Sequence, residues 1–434
     1  MAADARADER EEHELSDTIY ALSSGAPPAA VAVVRISGPK ADAALEALAG
    51  TLPPPRTMRL AALRDGGEVF DNALIVRFPG PASATGEDVA ELHLHGGRAI
   101  VAAVLAALGR IDGLREAAPG EFTRRAFEHG RIDLAEAEGL ADLLEAETEA
   151  QRRAAQALAG GVLSRQVEAW QAKLLVLAAE IEAALDFSDE DDVAPLAADF
   201  WPRLGALRDQ VAAWLARPSA ERLKDGIRVV IAGPPNAGKS SLLNALGERD
   251  AAIVTDVPGT TRDLVEVPVA IRGVPFVLVD TAGLREAGDA VEAIGVDRAR
   301  ASAATADILL WLGDPEVKPR RALQIHAKAD LGVPAEPKGM SVSAKTGAGI
   351  DELTEMIVGR ARRMLPREGE VALNARHRQA LARVAVELGA CSDADPLIIA
   401  EFLRRTRAEL DRITGRAGVE DMLDALFGRF CIGK

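Results

Sequence analysis

The chain has 434 residues, 51 Lys and Arg against 67 Asp and Glu for a net charge of −16 at pH 7, and is 48% hydrophobic but only 3% aromatic. At about 100–200 residues per domain this is a multidomain chain with enough apolar content for several cores. The acidic balance argues against a sequence-independent nucleic-acid binder, and a single Tyr argues against a platform for stacking single-stranded bases. Cys391 and Cys431 are too far apart for a Cys-x-x-Cys site and too few for a disulfide scaffold. Met1–Asp17 lacks the apolar stretch of a signal peptide, and no apolar run is long enough to span a bilayer. A soluble, cytoplasmic protein without a membrane segment is expected.

Residues 1–17 hold two basic and seven acidic residues and read as a disordered tail. Residues 18–133 read as an α+β domain. Ala30–Ile36, Ala73–Phe78 and the alternating Val89–His95 fit strands, and Ala41–Leu48 and Arg98–Leu108 fit helices. From Leu134 the turn residues disappear. Leu163, Val167, Trp170, Leu174, Leu177, Ile181 and Leu185 mark one face of a long helix, followed by a second helix over Asp199–Leu215. Residues 134–225 are therefore the first half of an all-α domain, the stripes being packing faces. Between 226 and 365, the buried runs Ile227–Ala232, Pro275–Val279 and Ile308–Leu312 alternate with helices, the texture of an α/β domain. Helical texture returns over 366–434 in Ala380–Leu388, Leu397–Leu410 and Val419–Phe427. The α/β domain is thus inserted between two helical halves.

Gly233-Pro-Pro-Asn-Ala-Gly-Lys-Ser240 is a complete GxxxxGK[ST] loop between a buried strand and a helix opening at Ser241. Backbone amides from Asn236, Ala237 and Gly238 onward can cradle phosphates, Lys239 can reach the outer phosphates, and Ser240 can ligate magnesium. Asp280-Thr281-Ala282-Gly283 follows a second buried strand, where the Asp can hold magnesium and the Gly amide can sense a γ-phosphate. Between them, Gly259-Thr260-Thr261 offers a switch hydroxyl, Thr261, to the magnesium shell. The three in order read as a Ras-like P-loop GTPase domain. Lys328 and Asp330, with Ser343-Ala344-Lys345, occupy the place of a guanine reader, since the Asp330 carboxylate can accept from guanine N1–H and N2–H₂. The Asn usual at the head of such a motif is Ala327 here, which removes one contact to the base.

With Arg35-Ile-Ser-Gly38, Thr85-Gly-Glu-Asp-Val-Ala-Glu91, His95-Gly-Gly97, Pro119-Gly-Glu-Phe122, Asp280-Thr-Ala-Gly-Leu-Arg-Glu286 and the terminal Phe430-Cys-Ile-Gly-Lys434, the chain resembles the MnmE (TrmE) family of tRNA-modification GTPases from about Thr18 to Lys434. The resemblance implies a homodimer that binds GTP, Mg²⁺ and K⁺, and a 5,10-methylene- or 5-formyl-tetrahydrofolate in the N-terminal domain. It implies an FAD-dependent partner of the MnmG (GidA) type, with which a carboxymethylaminomethyl or aminomethyl group is built on C5 of the wobble uridine of certain tRNAs. Arg35, Glu91, Arg131 and Lys434 fall at the folate positions, Arg131 standing where Lys is common. GTP would be held by Asn236 to Ser241, by Thr255-Asp256-Val257-Pro258-Gly259 with Thr260 and Thr261, by Asp280 to Gly283 and by the guanine reader. K⁺ would be held by Asn236 and the carbonyls of Thr255, Val257 and Thr260, supplying the charge that an arginine finger provides elsewhere. Glu292 matches the residue that orients the attacking water, so Arg262 and Arg285 read as switch-loop charges. The segment Asp280–Asp330 looks short beside typical members. Two other readings stay open: a ribosome-assembly or stress-response GTPase, and a nucleotide-gated scaffold without turnover.

Several residues invite a second reading. His93 and His95 share a strand face but have no third ligand in view, so strand-end packing is expected over a metal site. Asp189-Glu-Asp-Asp192 reads as a solvated loop. Trp201, Trp214 and Trp311 read as core residues. Cys431, a small buried residue or a reactive thiol, has no activating neighbour, so burial is expected. Arg124, Arg125 and Arg131, and Arg404, Arg405, Arg407 and Arg412, form two basic groups that could hold tRNA locally.

Overall fold

A computed structural model describes residues 17–186, 196–253, 265–280, 305–332, 338–367, 369–391, 395–416 and 420–434. The chain divides into two compact units, Met1–Ala141 with Thr414–Lys434, and Asp142–Ile413.

The first unit is built on six strands: β1 (Thr18–Leu22), β2 (Ala29–Ser37), β3 (Arg59–Asp65), β4 (Glu68–Phe78), β5 (Val89–Gly96) and β6 (Leu114–Glu116), in the order β3-β4-β5-β2-β1-β6. All neighbours are antiparallel except β1 and β6. The period-two alternation does the sorting. Ala32, Val34 and Ile36 of β2, with Leu92 and Leu94 of β5, go into the core with Ala44, Leu45 and Leu48 of α1 (Ala41–Ala49) and Val101, Val104 and Leu108 of α2 (Arg98–Leu108). The intervening residues Val31 and Arg35, paired in register with His95 and Glu91, take the opposite face. Two further helices follow, α3 (Glu121–Glu128) and α4 (Leu134–Leu144). The C-terminal helix Glu420–Phe427 joins this unit through a cluster of Leu134, Ala137, Ala141, Leu426, Phe427 and Phe430. Gly433 (φ +91°) lies so close to β1 that a Cβ would stand 2.1 Å from the Leu22 carbonyl oxygen, which leaves room for glycine alone.

A cluster of buried charges sits behind this sheet. Arg125, only 2% exposed, meets Asp17 at 2.7 Å, Glu87 at 3.1 Å and Glu121 at 3.1 Å. Arg115 also reaches Asp17 and Glu121, each at 2.5 Å. Asp17, assigned by composition to the acidic tail, is therefore anchored by two guanidinium groups. Arg124 pairs with Glu128 and Asp424. The reading of Arg124 and Arg125 as a basic patch is corrected, because their charges face carboxylates.

In the second unit, the apolar stripe of α6 (Val162–Asp186) is buried as its period requires, with Trp170 meeting Trp214 of α7 (Phe200–Leu215) edge-on at 5.5 Å. The shorter α5 (Glu149–Ala159) precedes them, opened by a capping box between Thr148 and Gln151. Seven strands form the other layer: β7 (Ile227–Ala232), β8 (Ala251–Ile253), β9 (Val265–Ile271), β10 (Val274–Asp280), β11 (Ile308–Trp311), β12 (Leu323–His326) and β13 (Met340–Ser341), in the order β13-β12-β11-β7-β10-β9-β8. The five from β13 to β10 are parallel, while β9 and β8 add antiparallel pairings. Helices α8 (Lys239–Asp250) and α9 (Ile350–Arg362) complete that part. The chain enters and leaves it side by side: Ser219 and Leu373 form a parallel bridge, and Ala220 N–H donates to the Leu373 carbonyl at 3.0 Å. Two long helices close the unit, α10 (Ala375–Ala390) and α11 (Pro396–Thr414). Arg378 of α10 donates to the Leu215 and Arg217 carbonyls at the end of α7, satisfying acceptors the helix leaves open.

Three expectations are corrected or qualified here. Trp201 is 42% exposed, stacked edge-on against Phe200, which takes the buried position of α7 instead. Trp311 does pack against the buried cluster of Val230, Ala232, Val279 and Leu309, but it is half-buried at the rim of that core, its indole N–H donating to the Asp314 carbonyl at 3.0 Å. The second basic group is partly offset: Arg404 and Arg405 share Glu401, Arg412 pairs with Glu409, and Arg407 approaches Asp411, so four exposed arginines face three carboxylates. Asp189–Asp192 lies outside the described residues.

Candidate functional site

The nucleotide loop leaves the carboxyl end of central strand β7, where open α/β sheets bind ligands. Gly233 (φ +155°), Asn236 (φ +59°) and Gly238 (φ +97°) bend the loop, and the first amides of α8 have no partner within the helix. Lys239, 6% exposed, folds over the loop and donates to the Gly233 and Pro234 carbonyls at 3.0 and 2.8 Å. Ser240 Oγ donates to Asp280 Oδ2 at 2.5 Å, so the end of β10 delivers a buried carboxylate to the first turn of α8. A hydroxyl and a carboxylate at this separation are a hard-oxygen set suited to magnesium, which keeps several waters and takes few protein ligands.

The segment after β12 comes to the same edge. Lys328 (φ +60°) donates from Nζ to the Asn236 carbonyl at 2.6 Å, tying the base-reading segment to the phosphate loop. A Cβ on Gly238 would lie 3.5 Å from the Ala327 methyl, so Ala327 packs beside the loop. Asp330 accepts from Ser343 Oγ at 2.7 Å, and this hydrogen bond holds its carboxyl below the ordinary aspartate range. Ala344 and Lys345 follow in the turn after Ser343. Asn236, Ala237, Gly238, Lys239, Ser240, Ser241, Asp280, Lys328, Asp330 and Ser343 thus come from one edge of one sheet. Thr255, Asp256, Val257, Pro258, Gly259, Thr260, Thr261, Thr281, Ala282, Gly283 and Glu292 lie outside the described residues, as do Arg262 and Arg285.

The second candidate site is on the face of the first unit's sheet opposite α1 and α2, where Ile19 and Ala21 of β1 pack with Ala117 and Phe122. Arg35 and Glu91 are cross-strand partners on β2 and β5, and the guanidinium binds Glu91 Oε1 through Nε at 3.0 Å and Nη2 at 2.9 Å. His93, two residues along β5, adds Nε2 to Glu91 Oε2 at 3.1 Å. The Arg35 guanidinium also stands 5.8 Å from the Phe122 ring centroid. The C-terminal tail reaches the same strands, since Gly433 packs on Leu22 of β1, one residue from Ala21, the register partner of Arg35. Arg131 comes in beside the loop before β5, where a Cβ on Gly86 would stand 3.3 Å from its Cγ. The sheet thus brings Arg35, Glu91 and the tail that ends in Lys434 onto adjacent strands, with Arg131 against the loop that leads into β5.

His93 was not among the residues expected here; the signal for it was its period-two spacing from Glu91. His95 is held differently, with Nδ1 2.7 Å from the buried Asp71 carboxylate, and no metal-holding group of His, Cys, Asp or Glu occurs among the described residues. Cys431 corrects an expectation: it is exposed, because Phe430 and Gly433 on either side take the inward positions. Cys391 is the buried thiol, pushed up to about 11 by desolvation and by Glu387.

A family model described as GTP-binding protein TrmE N-terminus matches residues 18–131, and one described as MnmE helical domain matches residues 134–431. A tRNA modification GTPase MnmE of Rhizorhabdus wittichii is 61% identical over 427 residues, 96% of this chain and 97% of its own length. A protein of the same name from Erythrobacter litoralis is 57% identical over 424 residues, 96% of this chain and 100% of its own. A solved G domain of the T. maritima FeoB iron transporter aligns with 31% of this chain and 98% of its own at 24% identity and a TM-score of 0.23. The strand order given above, rather than that likeness, locates the nucleotide edge.

Proposed function

The chain belongs to the MnmE family of tRNA-modification GTPases, and from that premise we propose that it binds and hydrolyses GTP with magnesium as a component of tRNA modification. The observation that carries the nucleotide part is the Ser240–Asp280 contact at the mouth of the P-loop, with Lys239 folded across the same loop. On binding, Lys239 exchanges its two carbonyl partners for phosphate oxygens, which repays the loss with charge-assisted contacts. Ser240 and Asp280 hold magnesium, directly or through water, and the ion supplies neutralisation of phosphate charge. Asp330, kept ionised by Ser343, accepts from the guanine edge, and a carboxylate facing adenine there would lack its donors. GTP is therefore expected to outcompete ATP in equilibrium binding, and equal competition contradicts the assignment.

The finer chemistry belongs to the same proposal. Potassium is held by Asn236 with the carbonyls of Thr255, Val257 and Thr260, and Glu292 orients the attacking water. Faster hydrolysis in K⁺ than in Na⁺ is expected, with Glu292→Ala keeping GTP binding while losing turnover; equal rates in the two salts contradict the potassium assignment. A tetrahydrofolate one-carbon carrier sits at Arg35, Glu91, Arg131 and Lys434. Support for it comes from the meeting of Arg35, Glu91 and the C-terminal tail on β5, β2 and β1. Glu91 then exchanges one arm of Arg35 for the pterin edge, while Arg131 and Lys434 suit the carrier's glutamate tail. A homodimer works with an FAD-dependent MnmG-type protein on C5 of the wobble uridine. No helix among the described residues is long and apolar enough to cross a membrane, and a cytoplasmic location follows from the tRNA substrate. The match of residues 18–131 to the N-terminal family model favours this over a ribosome-assembly GTPase.

A further inference from the structure

The second unit has a recess at the opposite end of its sheet from the P-loop. Val274 begins β10 and Asp280 ends it, so the two edges are about 20 Å apart at the rise of a strand. Here the β9–β10 turn at Arg272-Gly273 meets the start of α5: Ala150 N–H donates to the Gly273 carbonyl at 3.1 Å. The segments by which the chain enters and leaves the sheet region form the other side of an open recess of about 460 Å³. That is the size of a small-molecule site.

Its lining combines two chemistries. Leu223, Val274 and Leu365 give a buried apolar floor. Arg153, Arg272, Arg362 and Arg367 stand around it. Arg153 is engaged with Glu149 at 2.7 Å and Arg272 with Glu355, while the Glu370 carboxylate accepts from the Arg367 backbone amide at 3.0 Å. Arg362 and Arg367, both exposed, form no ion pair among the described residues. Glu149 and Glu370 also line the recess, so four guanidinium groups outnumber two carboxylates there, a local excess of positive charge over an apolar floor that suits an anion with a flat apolar part.

We propose that this recess binds a nucleoside phosphate, with the base on Leu223, Val274 and Leu365 and the phosphates at Arg362 and Arg367, separately from the nucleotide at the P-loop. Such a ligand touches α5, the β9–β10 turn and the exit segment together. Its occupancy is therefore coupled to how these three segments pack.

The test is equilibrium binding of ADP to the full chain saturated with GDP and Mg²⁺, so that the P-loop is already filled. One ADP per chain is expected. Arg362→Glu combined with Arg367→Glu should weaken it about tenfold or more while leaving GDP affinity unchanged. If that pair fails to fold, Arg362→Gln with Arg367→Gln carries the same expectation. Pyrophosphate alone should bind more weakly than ADP, and equal affinity would remove the base from the floor. No ADP binding at millimolar concentration, or ADP binding indifferent to both arginine pairs, overturns the proposal. So does a single-stranded RNA that binds through these arginines where ADP does not.

Discussion

Arg125 in the first unit and Lys239 in the second are both basic and both nearly buried, yet they are satisfied in opposite ways. Arg125 meets three carboxylates, and Arg115 shares two of them. Lys239 donates to two neutral carbonyl oxygens of its own loop. A buried cation locked by full charges is expensive to disturb and has nothing to offer a ligand. A cation resting on neutral acceptors gains by exchanging them for phosphate. Burial alone does not separate a structural charge from a working one; Arg125 is held among carboxylates, whereas Lys239 lies across the P-loop and donates to two of that loop's carbonyls.

The largest expected effect comes from breaking the locked side. Arg125→Ala leaves Glu87 without its guanidinium partner and Asp17 and Glu121 with Arg115 alone, and should cost about 3–5 kcal/mol. Hydrogen exchange should report it as lost protection in the first unit, with GTP hydrolysis in the second unit retained. Lys239→Ala should do the reverse, lowering GTP turnover by about 10²–10³-fold with exchange in the first unit unchanged. If both variants changed both units alike, the contrast would fail.

A pH series sharpens the same comparison. Burial alone would raise the Glu121 carboxyl, but hydrogen bonds from Arg115 and the Ala118 amide, with the charges of Arg115 and Arg125, bring it below 4.5. A carboxyl lowered on folding stabilises the fold above its unfolded value, and that stability is lost as pH falls through the folded value. The first unit should therefore loosen on acidification below about pH 4.5, and Glu121→Gln should flatten that dependence in a thermal-unfolding series. The smallest effect serves as a neutral reference. Thr148→Ala removes the cap of α5, whose hydroxyl accepts from Gln151 N–H at 3.3 Å, and should cost about 1 kcal/mol in the second unit only.

How much of this could be read from residues alone depended on the range of the interaction. The α6 stripe, the apolar run of β2 and the β5 alternation were legible because most of one face of each is buried. The short strands β1, β6 and β13 were not, since two to five residues carry too little periodicity. The P-loop with Asp280 was legible because backbone geometry and phosphate chemistry restrict its residues tightly. Partner choice was not. Arg124 and Arg125 look like a basic patch until Asp424, 300 positions from Arg124, and Asp17, 108 positions from Arg125, arrive in space. Cys431 lies outward because its neighbours Phe430 and Gly433 take the inward positions, a choice no composition encodes.

In this account GTP turnover at the P-loop serves tRNA modification. Mass analysis of wobble uridines in tRNA from cells lacking this chain, then supplied with the native chain or with Lys239→Ala, tests it most directly. The C5 substituent should disappear on deletion, return with the native chain and stay absent with Lys239→Ala. Unchanged uridines on deletion, or full restoration by Lys239→Ala, would contradict it.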